Sequence, residues 1–297
     1  MNEHAPIKTT VEEEAIDLTC ADGVRIAGTL FFPIKTGKSK GPKVLISGAA
    51  AVPHTYYHPF ARHLIDEGSA AVFTYDYRGI GVSAGDRRDW KTFRMADWGR
   101  QDFVVAADYL NGRNPNTPMV GIGHSFGGQA LGLSDRWLHF SRYLAIASMS
   151  GYWRGTDEPI GVYLKTQFLG APLAVLLGRV PGWLGIGETM PGPVFRDWAR
   201  WIKSPDYFFS DPALPETRHY GEVALPLRVV QVTDDAWGTK RAIHSLFDRY
   251  TGADTEHVAI SPDEASGSIG HLGFFRRRHA ENHWPKVSEW LLTDRAF

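Results

Sequence analysis

The chain has 297 residues, 43% of them hydrophobic and 22% charged, with 32 Lys+Arg against 33 Asp+Glu. That length builds a sizeable core without a metal or disulfide staple, and the near-neutral balance excludes the net basic field of a dedicated nucleic-acid binder. The single cysteine, Cys20, excludes an internal disulfide scaffold.

The N-terminus lacks the apolar core of a secretory signal. The most membrane-like stretch, 169–186, is interrupted by Pro172, Arg179, Pro181 and several glycines, so no membrane span is expected. A cytoplasmic protein is the expectation. Ala15 to Cys20 and Val24 to Phe32 read as two strands joined by a turn at Ala21-Asp22-Gly23. Lys43 to Ser47, after Gly41-Pro42, reads as a buried strand. A helix is predicted from Tyr56 to Glu67, stopped by Gly68. Ala70 to Tyr75 is a second buried strand, followed by a helix over Asp97 to Leu110. Met119 to Ile122 is a third, Ser125 to Leu138 a helix, and Tyr143 to Ala147 a fourth.

Near Gly151 the rhythm breaks. From there to about Tyr220 the chain is rich in Gly, Pro and Trp, with two helical pieces predicted at Val162 to Leu177 and Val194 to Ile202. The strand pattern returns at Leu227 to Val232 and Glu256 to Ile260, with helices over Lys240 to Tyr250 and Phe274 to Leu292. Strands separated by helices give an α/β fold with a mainly parallel sheet covered on both faces. Residues 1–150 and 221–297 are expected to form this core, and 151–220 a cap or lid inserted over the sheet edge.

The segment Gly123-His124-Ser125-Phe126-Gly127 carries the chemistry. It fits G-x-S-x-G between a predicted strand and a predicted helix. There a tight turn presents a serine and needs neighbours without Cβ atoms. A serine hydroxyl is a weak nucleophile without a base, and chain order in this arrangement runs Ser, acid, His. His271 lies in a glycine-flanked loop between the last strand and the last helix. The acid should follow the strand ending at Val232, where Asp234 and Asp235 both stand; Asp157 is a weaker rival. Whichever acid does not orient His271 could cap the helix near Lys240 or face solvent. Two N–H donors for an oxyanion are expected from Phe126 and from the loop Gly48 to Pro53, with Ala49 favoured and Ala50 close behind.

These segments, with Asp76-Tyr-Arg-Gly-Ile-Gly-Val-Ser83 and Gly270-His-Leu-Gly-Phe-Phe-Arg276, resemble the α/β-hydrolase superfamily, most closely a poorly characterised group of bacterial predicted hydrolases. The resemblance runs from about Asp17 to the C-terminus. It implies an eight-stranded, mostly parallel sheet and no cofactor. Many relatives carry Pro four residues after the acid; counted from Asp235 that place holds Thr239, which favours Asp235. The expected activity is that of a serine hydrolase on a small, apolar carboxylic ester or related acyl bond. Ser125, His271 and Asp235 would form the triad, and no metal is expected. Acyl transfer, thioester or amide cleavage, and ligand binding without turnover are the alternatives.

Other features have plainer readings. Gly79 to Gly85 misses a nucleotide loop by one place. Arg276 to Arg278 reads as a solvated helix start, and His279 with His283 as a solvated helix face. His124 reads as packing beside the nucleophile, and Cys20 as buried. Trp183, Trp198, Trp201, Tyr207, Phe208 and Phe209 form either a small core for the insertion or a pocket lining.

Overall fold

The structure is a computed structural model that describes residues 11–34, 41–263 and 267–293. An eight-stranded sheet runs through it. Its strands are β1 (Val11–Thr19), β2 (Arg25–Pro33), β3 (Lys43–Ser47), β4 (Ala71–Tyr75), β5 (Met119–His124), β6 (Phe140–Ile146), β9 (Pro226–Val232) and β10 (Asp254–Ile260). A separate two-stranded ribbon pairs β7 (Arg179–Val180) with β8 (Met190–Pro191). The order is β1-β2-β4-β3-β5-β6-β9-β10. β2 pairs antiparallel with β1 and β4, and the pairings from β4 to β10 are parallel.

All five residues of β3 are buried, as a strand covered on both faces requires. Successive side chains still alternate. Leu45 packs with Phe73, Phe103 and Tyr143 on one face; Val44 and Ile46 pack with Phe60, Leu64 and Leu291 on the other. β3 and β5 thus lie in the middle of the sheet, and their C-terminal ends converge on one edge.

The helix predicted over Ser125 to Leu138 is much shorter, Phe126–Ala130, followed by 3-10 turns at Leu131–Leu133 and Asp135–His139. Tertiary packing explains this. The carbonyls of Gly127, Gly128 and Gln129 accept from the hydroxyls of Tyr143 (2.9 Å), Tyr250 (2.8 Å) and Tyr220 (2.5 Å). Three buried phenols, none of them local in sequence, replace the next turn of helix. The last helix is also shorter than expected. Arg276 is extended (ψ 140), so the helix begins at Ala280 after two 3-10 turns.

Residues 159–176 form one continuous helical run with a wide π turn at Lys165–Gly170, and Gly192–Trp201 forms a second helix. The β7–β8 ribbon between them has no signal in the sequence because each strand is only two residues long.

The loop after β4 is held by Arg78, whose side chain is 2% exposed. Its Nε donates to Asp102 Oδ1 at 2.8 Å and its backbone N–H to Asp102 Oδ2 at 2.9 Å, while Nη1 meets Asp22 at 2.5 Å. Cys20 Sγ points at the same Asp102 oxygen at 3.4 Å. Burial, then the Asp102 charge, pushes that thiol up to about 12, so it stays protonated. Arg78→Met would leave the Asp102 carboxylate buried without its counter-charge. It should lower the unfolding free energy by about 3–5 kcal/mol in urea titrations; a loss below about 1 kcal/mol would show that the ion pair contributes little beyond its packing.

Candidate active site

Ser125 stands between β5 and the helix Phe126–Ala130 with φ 52 and ψ −111. The turn is so tight that three glycines have no room for a side chain. A Cβ on Gly123 would sit 2.4 Å from the Gly127 carbonyl carbon, one on Gly127 would sit 2.0 Å from Ser47 O, and one on Gly128 would sit 2.2 Å from Ser148 Oγ. Ser125 N–H donates to Ile146 O at 3.0 Å, tying the turn to β6.

His271 Nε2 lies 2.9 Å from Ser125 Oγ, and His271 Nδ1 lies 2.7 Å from Asp235 Oδ2. The three residues expected to meet are therefore brought together in hydrogen-bond order. The Asp235 side chain is fully buried. Burial alone would raise its pKa, but the His271 hydrogen bond and charge, with the N–H groups of Gly238 and Trp237, hold the carboxyl below its ordinary value. Gly238 is needed for that approach, since a Cβ there would lie 2.4 Å from Asp235 Oδ2.

Asp234 neither caps the next helix nor faces solvent unpaired. It accepts from Ser268 Oγ (2.7 Å), Ile269 N–H (3.0 Å) and Gly270 N–H (2.9 Å), and so grips the loop that carries His271. Burial works against ionisation, yet these bonds lower its pKa. The helix Lys240–Phe247 is capped instead by Thr239 Oγ1, which accepts from Ala242 N–H at 3.1 Å. With His271 Nδ1 taken by Asp235, Asp157 has no part in this relay; its N–H pairs with Ala236 O.

The Ala49 N–H does not fit the donor role expected of it. It donates to Tyr57 Oη at 2.8 Å. Ala50, the neighbouring alternative, lines the cavity beside Ser125 and Phe126, and among the described residues its N–H makes no backbone hydrogen bond. Phe126 opens its helix, so its N–H has no partner within the helix.

His124 is fully buried, and burial, then the nearby His271, lowers its pKa to about 3. Its Nε2 lies 2.8 Å from the His271 carbonyl, which can only accept. Nε2 therefore carries the proton, and Nδ1 accepts from Tyr57 Oη at 2.8 Å. A hydrogen-bond chain of fixed polarity runs from Ala49 N–H through Tyr57 and His124 to the His271 main chain. The sequence marks His124 by its place in the motif; nothing marks Tyr57.

A family model described as the alpha/beta hydrolase family matches residues 44–280. The chain belongs to the alpha/beta hydrolase family. No curated protein sequence matches it. Among solved structures, an esterase of Pyrococcus furiosus is similar at a TM-score of 0.60 and 17% identity, covering 98% of this chain and 96% of that one. A cold-adapted esterase from an Arctic intertidal metagenomic library is similar at 0.55 and 16% identity, covering 95% of each chain. The esterase domain of a Rhodothermus marinus protein is similar at 0.56 and 15% identity, covering 94% of this chain and 97% of that one. At such identities the likeness is one of fold.

In this hydrolase fold a cavity of about 280 Å³ opens in front of Ser125. Residues between β6 and β9 supply Trp198, Tyr207, Ile186 and Lys165 to its wall, and the sheet side supplies Met149, Phe126 and Trp237. The aromatic cluster seen in the sequence thus divides. Trp198, stacked on Trp237 at 5.8 Å between centroids, and Tyr207 line the cavity, whereas Trp201 and Phe208 are buried beneath and Trp183 is exposed. Trp237, beside His271 and on the wall, had no distinguishing signal in the sequence. His279 is buried, against its expected solvent exposure, and accepts from Arg278 Nε at 3.0 Å. Among the described residues no group of His, Cys, Asp and Glu is arranged to hold a metal ion, and no helix is long and apolar enough to cross a membrane.

The lowered pKa of Asp235 fixes a sign for pH dependence. Its contribution to stability is complete above the unfolded aspartate pKa of about 3.9 and is lost as pH falls through the lower folded value. Wild type should therefore exceed Asp235→Asn in stability at neutral pH, with the gap closing in acid. Urea midpoints from neutral pH down through the carboxylate range check this; a gap that is constant with pH would mean that folding leaves the Asp235 pKa unchanged.

Proposed function

We propose that the protein is a serine hydrolase of small carboxylic esters with an apolar acyl part. The observation that carries this reading is the unbroken run from Ser125 Oγ to His271 Nε2 (2.9 Å) and from Nδ1 to Asp235 (2.7 Å), facing a largely apolar cavity. Ser125 attacks the ester carbonyl while its proton passes to His271 Nε2. Asp235 holds the ring in the required tautomer and stabilises the imidazolium. The N–H groups of Phe126 and Ala50 take the oxyanion, Ala50 replacing Ala49 because the latter donor is engaged. Collapse of the intermediate breaks the bond to the leaving oxygen, which takes the proton back from His271. Water, deprotonated by His271, then attacks the acyl carbon, and Ser125 Oγ leaves with that proton as the acid is released.

Residues 151–220 act as the cap of this site. They place Trp198, Tyr207 and Lys165 across the cavity from the sheet residues, which supports a role in selecting the acyl or alcohol part. The fold-level likeness to esterases supports the hydrolase reading.

Labelling with a fluorophosphonate tests the nucleophile. Wild type should label and Ser125→Ala should not, with unchanged thermal stability; full labelling of the variant would sink the mechanism.

The two neighbouring acids should separate cleanly. In serine proteases the amide in place of the orienting carboxylate costs about 10⁴ in turnover, and Asp235→Asn should lose ester turnover on that scale. Asp234→Asn keeps one acceptor for the His271 loop and should cost less than about tenfold, or ~1.4 kcal/mol of barrier. Turnover numbers at neutral pH decide it, and the reverse pattern would transfer the orienting role to Asp234.

A further inference from the structure

The helical run 159–176 is amphipathic in an unusual sense. Its inner side buries Val162, Thr166, Gly170 and Ala174, spaced four apart, and a Cβ on Gly170 would meet the Phe195 ring at 2.3 Å. Its outer side carries Ile160, Leu164, Phe168, Pro172 and Leu176, also four apart and all exposed. In a regular α-helix such a ridge would wind away from one face by about 40° at each step. The π turn at Lys165–Gly170 is wider, reduces that drift and keeps the ridge together. The ridge is strongly exposed: Phe168 is 69% and Leu176 79% accessible. Among the described residues, all the exposed large apolar side chains except Ile34, Val82 and Leu138 lie between Ile160 and Trp183. An apolar concentration of this kind marks a surface that something covers.

Charge says what covers it. A cleft of about 400 Å³ adjoins the end of the ridge, with Val175 and Leu177 on its wall beside Arg87, Arg88, Lys91, Arg179 and Arg196. Among the described residues, no acidic one lines it. Arg88 pairs with Asp86, and Arg87 lies over the Trp90 ring at 5.6 Å. Asp89 opens on a different cleft. Lys91, Arg179 and Arg196 have no ion pair among the described residues, in a chain whose formal charge is −1. A second copy docking through a two-fold axis would bring this patch against itself and oppose like charges. An anionic lipid surface satisfies both halves of the patch, with apolar side chains in the acyl boundary and cations at the headgroup phosphates.

We propose that this face docks on anionic lipid surfaces, bringing the insertion, and with it the cavity that Lys165 of the same helical run lines, to the membrane. Co-sedimentation with vesicles of phosphatidylcholine alone, and of phosphatidylcholine with phosphatidylglycerol, tests it at low and high salt. The expected result is binding about tenfold or more tighter to the anionic vesicles, weakening as salt screens the cations. Lys91→Glu with Arg196→Glu should abolish the anionic preference, and Phe168→Ser with Leu176→Ser should weaken binding to both vesicle types. These side chains lie outside the cavity wall, so melting temperature and soluble-ester turnover should stay at the wild-type level. Should a double variant fail to fold, Leu176→Ser alone reads the apolar effect and Lys91→Glu alone the loss of anionic preference. No binding, or equal binding to both vesicle types, overturns the proposal. So does a concentration-dependent dimer in sedimentation equilibrium that Leu176→Ser dissociates, since the occupant is then a second copy. Because binding is read without turnover, its failure is distinct from failure of the hydrolase reading.

Discussion

Ser125 is held at a backbone conformation that an L residue adopts only at a cost, on the order of 1–3 kcal/mol, and the site's geometry depends on that constraint being met. The neighbourhood over-determines it. β5 lies between β3 and β6, so the strand leading into Ser125 cannot shift along its axis. The Ile146 carbonyl holds the Ser125 N–H, and the Ser125 carbonyl in turn accepts from Gly128 N–H at 3.1 Å. The helix that follows is pressed so close to β3 that Gly127 touches the Ser47 main chain. Three tyrosine hydroxyls then close its far end. The hydroxyl of Ser125 is thereby aimed from a rigid turn, and the first N–H of the helix lies beside it without a helical partner.

The same rigidity spreads sideways through His124. Because burial keeps its ring neutral, each of its nitrogens has one fixed role. That turns a string of contacts into a directional chain, from the Ala49 N–H to the His271 carbonyl. The loop after β3 and the loop before the last helix are far apart in sequence, yet both are positioned by one residue adjacent to Ser125. A protonated His124 would present two donors, and the Tyr57 hydroxyl could no longer donate to its Nδ1. Depressing its pKa is therefore a condition for the geometry of both loops.

These arrangements were unequally legible in the sequence. The sheet was readable because buried parallel strands are short apolar runs bounded by turns, and Lys43–Ser47 is one. The Ser125 turn was readable because steric demand writes itself as glycine at fixed spacing. The end of the helix at Ala130 was not, because Tyr143, Tyr220 and Tyr250 reach it from other parts of the chain. The engagement of the Ala49 N–H was not legible either, because its acceptor is a phenol eight residues on whose orientation no local pattern encodes. His279 carries no periodic signal of burial; its environment is set by the extended Arg276 and the turn that follows.

The neighbouring acids show how one short segment can serve two ends. Both follow β9 in a turn closed by the Asp235 N–H on Val232 O at 3.1 Å, and their side chains leave it in different directions. Asp235 turns to the imidazole and Asp234 to the main chain of the loop that bears it. His271 is then constrained from several directions: its Nδ1 by Asp235, its carbonyl by His124, and the N–H groups just before it by Asp234. Tyr56 adds a hydrogen bond to the next carbonyl, that of Leu272. Only Nε2 is left facing the serine. A loop with Gly270 at φ 59 and no regular structure would otherwise sample many positions. Fixing it in the folded state removes that freedom before any ligand arrives, so the imidazole meets Ser125 Oγ without a further ordering cost.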